Sequence, residues 1–166
     1  LSLAIGVAVV RALKHLDIPS VALKWPNDVY YQGKKFGGIL IEVSGEASGP
    51  CSVVTGIGLN VFLPGSEAEK IMQPWTDLSR ILGQRRISRN TLATTLLNQL
   101  IPVFAEFERS GIKTYLDEWR QYDCLKGNAA HLFIGQQIIT GIVQGIDDNG
   151  LLLLEHSDGL VHSYAS

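Results

Sequence analysis

Residues 21–61, VALKWPNDVYYQGKKFGGILIEVSGEASGPCSVVTGIGLNV, decide the fold. They divide into strand-length runs, VALKW, VYYQ, FGGILIEV and SVVTGIGLNV, separated by PND, GKK and SGEASGP, which have turn composition. That pattern predicts an antiparallel meander. Inside it stand four glycines, Gly37, Gly38, Gly56 and Gly58, in runs that otherwise read as strand. Glycine there costs roughly 0.5–1 kcal/mol and marks a bulge or the close approach of another group. Two neighbouring strands with the same defect suggest a ligand between them; tight sheet-on-helix packing is the alternative. Asp28 and Lys35 flank a hairpin-like connection through Tyr30, Tyr31, Gln32 and Gly33, so both side chains can face one cavity. A lysine beside a glycine-lined strand can neutralise phosphate or polarise a carboxyl oxygen. As bland alternatives, Lys35 is a solvated turn lysine and Asp28 a turn residue bonded to its own backbone.

Upstream, LSLAIGVAVVRALKHL reads as a buried core helix with Arg11, Lys14 and His15 toward its C-terminal end, where they suit the dipole, and with Pro19 as its stop. It has no basic region before its apolar run, and it turns polar at Arg11, well short of the ~20 residues a bilayer requires. Downstream, residues 63–86 are mixed and hold two prolines, which predicts a loop with short helical turns. From Ser88 to Ser110, Leu92, Leu96, Leu100, Phe104 and Phe107 recur at helical spacing, with Ser88 as N-cap and Gly111 just past the end. Pro102 is expected to kink or split that helix. KTYLDEWRQY reads as a second helix. After Cys124, HLFIG, QQIITGIVQGID, LLLLEH and LVHSYAS are short β-type runs with hairpin signals at GQQ, DNG and SDG.

The chain has 166 residues, 46% hydrophobic and 18% charged, with a formal net charge of −2 and no run of five or six like charges. It is globular, and nothing in it points to a dominant nucleic-acid or membrane surface. Two cysteines, neither at CxxC spacing, suit a reducing, cytoplasmic compartment. His15, His131, His156 and His162 lack metal-binding spacing.

KWPND followed by KFGGILIE and then GIGLNV resembles the bacterial biotin protein ligase family, and the likeness continues through RNTLATTLLNQL, YLDEWRQYD and GIVQGIDDNGLLLLE. The resemblance implies an α+β fold: a mainly antiparallel mixed sheet with helices on one face over residues 1–122, then a small SH3-like β-barrel over 123–166. It also implies an ATP-dependent enzyme that makes biotinyl-5′-AMP with Mg2+ and passes biotin to a lysine of the biotin carboxyl carrier protein of acetyl-CoA carboxylase. Lys35 matches the catalytic lysine, contacting both biotin and adenylate. Asp28 matches the carboxylate that positions or deprotonates the acceptor amine, and Asn27 the partner of Mg-bound phosphate. Gly37, Gly38, Leu40, Gly56 and Gly58 line the biotin pocket by the same resemblance. Asn60 reaches the adenine and Trp75 covers the adenylate. Trp25 reads as structural.

The family's GRGRxG loop, its Ser/Thr and Gln contacts to biotin and its GEVSLR-like last strand are not in these residues, so the chain is expected to be part of a longer enzyme and crippled alone. The FGGILIEV run is the expected sheet edge for a homodimer and for the carrier. DNA is a partner only if a winged helix-turn-helix lies upstream; no membrane partner is expected. The rival readings are a lipoate or octanoate ligase of the same fold and a biotin-responsive repressor.

Overall fold

The computed structural model describes residues 1–45, 51–65 and 69–166. The turn expected after FGGILIEV falls largely on 46–50, and part of the irregular stretch on 66–68; both lie outside the described residues. In chain order the elements are α1 (Ser2–His15), β1 (Val21–Lys24), β2 (Asp28–Tyr31), β3 (Lys34–Gly45), β4 (Cys51–Leu59), α2 (Leu78–Leu82), α3 (Arg89–Ser110), α4 (Lys113–Tyr122), β5 (Ala129–Ile134), β6 (Gln137–Ile146), β7 (Leu152–Glu155) and β8 (Val161–Tyr164).

The first sheet is the expected meander, β1-β2-β3-β4, antiparallel throughout. One face turns Val21, Leu23, Val29, Phe36 and Ile39 into the core, all at most 5% exposed. Against them lies α1, whose residues Leu3 to Val10 are all buried. A helix apolar on every side needs cover on every side. The sheet gives it on one side, and α3 and α4 on the other. Gly6 permits the close approach to the sheet, since a Cβ there would stand 3.2 Å from both methyls of Leu23. Each fully buried Val, Leu or Ile of α1 contributes about 1.5–3 kcal/mol relative to exposure. The helix stops at Leu16 and Asp17, ahead of Pro19, with the Leu16 N–H bonded back to Ala12 and Leu13.

Helix α3 begins as the sequence predicts: Ser88 Oγ accepts from the Thr91 N–H at 3.0 Å. It is continuous across Pro102, so the proline does not split it in two. Pro102 and Asn98 both lie on the exposed face, so the Asn98 carbonyl that proline leaves unbonded faces water rather than the core. Leu92, Leu100 and Val103 are the buried residues, while Phe104 is 40% exposed.

The expectation about the sheet edge also needs correction. β3 pairs with β2 over Lys34–Gly38 and with β4 over Gly37–Gly45, so the start of FGGILIEV is interior and β4 is the outer strand. From Leu40 onward β3 has β4 on one side only among the described residues.

The second sheet is another antiparallel meander, β5-β6-β7-β8; a ladder closing it into a barrel is not among the described strands. Gly135, Gly150 and Gly159 take positive φ at its turns. Val143, Ile146, Leu152 and Leu154 join the same core as α1. No helix is long and apolar enough to cross a membrane among the described residues.

The helices are tied by a polar network. Arg11 Nε donates to Glu118 Oε1 at 3.1 Å, the Tyr122 hydroxyl donates to the same oxygen at 3.1 Å, and Tyr115 donates to Glu106 at 2.7 Å. Burial pushes the Glu118 carboxyl up, but the hydrogen bond and charge of Arg11 outweigh it and hold the group below its ordinary value of 4.5. A depressed carboxylate stabilises the fold above its unfolded value and loses that contribution as pH falls. Below about pH 4.5 the thermal midpoint of wild type is therefore expected to drop more steeply than that of Glu118→Gln, as differential scanning fluorimetry across the acid range would show.

Candidate functional site

The site lies on the sheet face opposite the helices, and a bulge creates it. Simple alternation would place Lys35 and Gly37 on one face and Gly38 on the other. The β2–β3 register instead slips between Val29 and Tyr30, so Asp28 faces Gly38 while Tyr30 faces Lys35. Asp28, Lys35 and Gly38 thus share one face, and Phe36 turns into the core. Lys35 Nζ stands 2.7 Å from Asp28 Oδ1, with side-chain exposures of 31% and 19%.

Asn27 is held by a reciprocal pair with Ile39: its Nδ2 donates to the Ile39 carbonyl at 2.8 Å, and its own carbonyl accepts from the Ile39 N–H at 2.8 Å. Its Oδ1 is the side-chain atom left for a ligand.

The four glycines have different reasons. A Cβ on Gly37 would lie 2.4 Å from the Gly58 carbonyl oxygen, so its smallness serves the approach of β4. A Cβ on Gly38 would stand 3.3 Å from Asp28 Oδ1. At Gly58 a Cβ would meet nothing within 4 Å, and at Gly56 only Leu40 at 3.8 Å, so these two leave open space.

That space is a depression with two lobes. One, of about 470 Å³, is bounded by Asn27, Asp28, Leu40, Gly56 and Ile57; the other, of about 350 Å³, by Asn60, Ile71, Gln73 and Trp75. Lys35, Gly38 and Gly58 belong to both, so Lys35 stands at the waist. The segment carrying Trp75 runs beside Lys35 as a short parallel bridge: the Lys35 N–H donates to Pro74 and its carbonyl accepts from Thr76, both at 2.9 Å. The Arg80 guanidinium covers the Trp75 ring at 3.8 Å. Asn60 Nδ2 donates to the Thr76 carbonyl at 3.1 Å, fixing that side chain to the same segment. A separate apolar groove of about 380 Å³ between Val61, Leu78, Leu82 and Ile87 is lined by none of Asp28, Lys35 or Asn60.

All ten residues singled out in the sequence therefore bound one depression, the four glycines contributing backbone alone. Asp77 was missed. It is 1% exposed, caps α2 by accepting from the Arg80 N–H at 2.9 Å, and accepts from the Leu63 N–H at 3.0 Å and from Ser79 Oγ at 2.8 Å. Burial raises this carboxyl, but the Arg80 and Leu63 amides and the Ser79 hydroxyl outweigh it and leave it below the ordinary range. The signal was an Asp directly before LSRIL, an N-cap pattern. Asp77→Ala is expected to destabilise the chain by about 2 kcal/mol at neutral pH, through the lost cap and two freed amides. Urea unfolding would measure it.

The model of the Biotin/lipoate A/B protein ligase family matches residues 1–60, and that of the Biotin protein ligase C terminal domain matches residues 132–166. The chain is 37% identical over 161 residues to the Bifunctional ligase/repressor BirA of Escherichia coli, covering 97% of this chain and 49% of that protein. It is 33% identical over 159 residues to the Biotin--[acetyl-CoA-carboxylase] ligase of Mycobacterium tuberculosis, covering 93% and 56%. The chain thus spans about half the length of the curated relatives it matches. Its backbone superposes on the biotin protein ligase of Aquifex aeolicus solved with biotin and ATP at a TM-score of 0.82, with 28% identity over 99% of this chain and 67% of that one. Since both domain models match in their order along the sequence and the fold of such a ligase follows nearly the whole chain, it belongs to the biotin protein ligase family.

Proposed function

We propose that the protein joins biotin to ATP and passes the activated acid to a lysine of a biotin carboxyl carrier domain of acetyl-CoA carboxylase. The observation that supports this most is Lys35 at the waist of a two-lobed depression. An adenylating ligase must hold an acid and a nucleotide end to end and neutralise charge where they join. The lobe of Leu40, Gly56, Gly58 and Ile57 suits the largely apolar biotin, and that of Asn60 and Trp75 suits the adenylate.

In the first step a biotin carboxylate oxygen bonds to the α-phosphorus and pyrophosphate leaves. Lys35 stabilises the negative charge shared between those oxygens. In the second, the acceptor amine attacks the acyl carbon, AMP leaves, and Asp28 takes the amine proton. Such help is needed because a lysine with a pKa near ~10.4 is mostly protonated at neutral pH. There is no cluster of three acidic, His or Cys groups fit to cage a metal among the described residues. That suits Mg2+ carried mainly by phosphate and water, with Asn27 Oδ1 as the protein's oxygen.

The same reading places the catalytic core over residues 1–122 and the C-terminal domain over 123–166, in a cytoplasmic protein. It favours a homodimer through the open flank of β3 or the outer edge of β4, where Val53 and Val54 are exposed, and the same edge suits the carrier. Sedimentation with and without adenylate tests the dimer. DNA binding is reserved for a protein with a winged helix upstream, as the repressor half of the Escherichia coli relative's name suggests. Incubating the full encoded protein with MgATP, biotin and a carrier domain should add one biotinyl group to one lysine. Modification by octanoate or lipoate instead would favour the rival ligase.

A further inference from the structure

The KWPND segment is suspended between three elements. The Pro26 carbonyl accepts from Ser2 Oγ at 3.2 Å, Asn27 is paired to Ile39, and the Trp25 indole N–H donates to the Gly150 carbonyl at 3.0 Å. The last contact reaches across 125 residues into the turn between β6 and β7. Trp25 is 7% exposed, so most of its indole is withdrawn from water, and the Gly150 carbonyl is the hydrogen-bond partner of its N–H.

The turn that supplies the carbonyl is itself fixed. Asp147 Oδ1 accepts from the Asn149 and Leu151 N–H groups at 2.8 and 2.9 Å, and the Gly150 N–H donates to the Asp147 carbonyl at 3.1 Å. Gly150 has φ +81°, and a Cβ on it would lie 2.8 Å from Leu3 Cδ1 and 3.0 Å from Ile112 Cδ1. The turn is thus wedged against α1 and the start of α4. A second tie lies nearby, where the Cys124 N–H donates to the Leu23 carbonyl at 3.0 Å.

We infer that the β6–β7 turn of the second sheet is a positioning device for the site: through Trp25 it sets where Asn27 and Asp28 stand. Trp25 touches neither lobe of the depression, so it is a positioning residue. Its kinetic consequence rests on the ligase reading; its mechanical consequence does not.

Trp25→Phe in the full encoded protein keeps the ring and removes only the donor. Hydrogen–deuterium exchange of the peptide covering residues 24–31 should rise several-fold while the thermal midpoint stays near wild type. In the same protein kcat for adenylate formation should fall about tenfold, with KM for biotin and ATP within about twofold, as expected when reacting groups are misplaced but binding surfaces survive. Asp147→Ala, which loosens the turn without touching Trp25, should reproduce both effects and carries the test if Trp25→Phe fails to fold. Wild-type exchange together with wild-type kcat, or activity lost only in proportion to folded protein, would overturn the inference. If the wild-type protein makes no adenylate, the ligase reading fails, and exchange alone decides whether the turn positions the segment.

Discussion

Lys35→Ala is expected to lower biotinyl-adenylate formation by about 10³-fold while leaving the protein folded. The size follows from the ammonium's place between the lobes, because removing a preorganised group aimed at developing charge costs on the order of 10²–10³ in rate. The fold should survive because the Lys35 side chain is 31% exposed and is not part of the core. Asp28 loses its counter-ion but keeps access to the open depression. Lys35→Arg should not restore the rate, since a planar guanidinium cannot occupy the point that a compact ammonium fills. Single-turnover measurement of adenylate would show this. A wild-type rate in Lys35→Ala would remove the residue from the reaction.

Gly58 and Gly37 lie on neighbouring strands, yet they should respond oppositely. At Gly58 a Cβ meets nothing within 4 Å, and valine suits a strand, so Gly58→Val should unfold at the wild-type midpoint. Its methyls would fill the space shared by both lobes, and biotin affinity should fall by about 100-fold or more, the equivalent of roughly 2.7 kcal/mol. Gly37→Ala places a Cβ 2.4 Å from the Gly58 carbonyl and 2.6 Å from Leu59 Cδ2. A backbone oxygen cannot rotate aside, so β4 must shift, at about 3 kcal/mol. Calorimetric titration with biotin and urea unfolding separate the two outcomes. Normal biotin binding by Gly58→Val would mean that the depression does not hold the acid.

How much of this was legible in the sequence depends on the range of the interactions. The first sheet was readable because its turns are local and chemically marked, and α1 because ten of its fourteen residues are buried. Ser88 and Gly111 marked the ends of α3 in the same local way. That Pro102 does not split α3 was not legible, because its cost depends on where the freed Asn98 carbonyl points, a matter of tertiary exposure. Phe104, one of the apolar residues at helical spacing, is 40% exposed while Val103 is buried, because the sequence does not fix which face of a helix its neighbours cover. The residues singled out for the site came from KWPND, KFGGIL, GIGLN and Trp75, but the reason that Lys35 and Gly38 share a face was not legible. A slip of register between Val29 and Tyr30 leaves no compositional mark. The Trp25–Gly150 bond, joining residues 125 apart, was beyond any local pattern.

The most direct test is to incubate the full encoded protein with biotin, ATP and Mg2+ without a carrier domain, and to follow enzyme-bound product by mass spectrometry alongside released pyrophosphate. The depression as described predicts biotinyl-5′-adenylate, about one per chain, with matching pyrophosphate. Pyrophosphate release that does not depend on biotin, or an adenylate of octanoate or lipoate in its place, would contradict it.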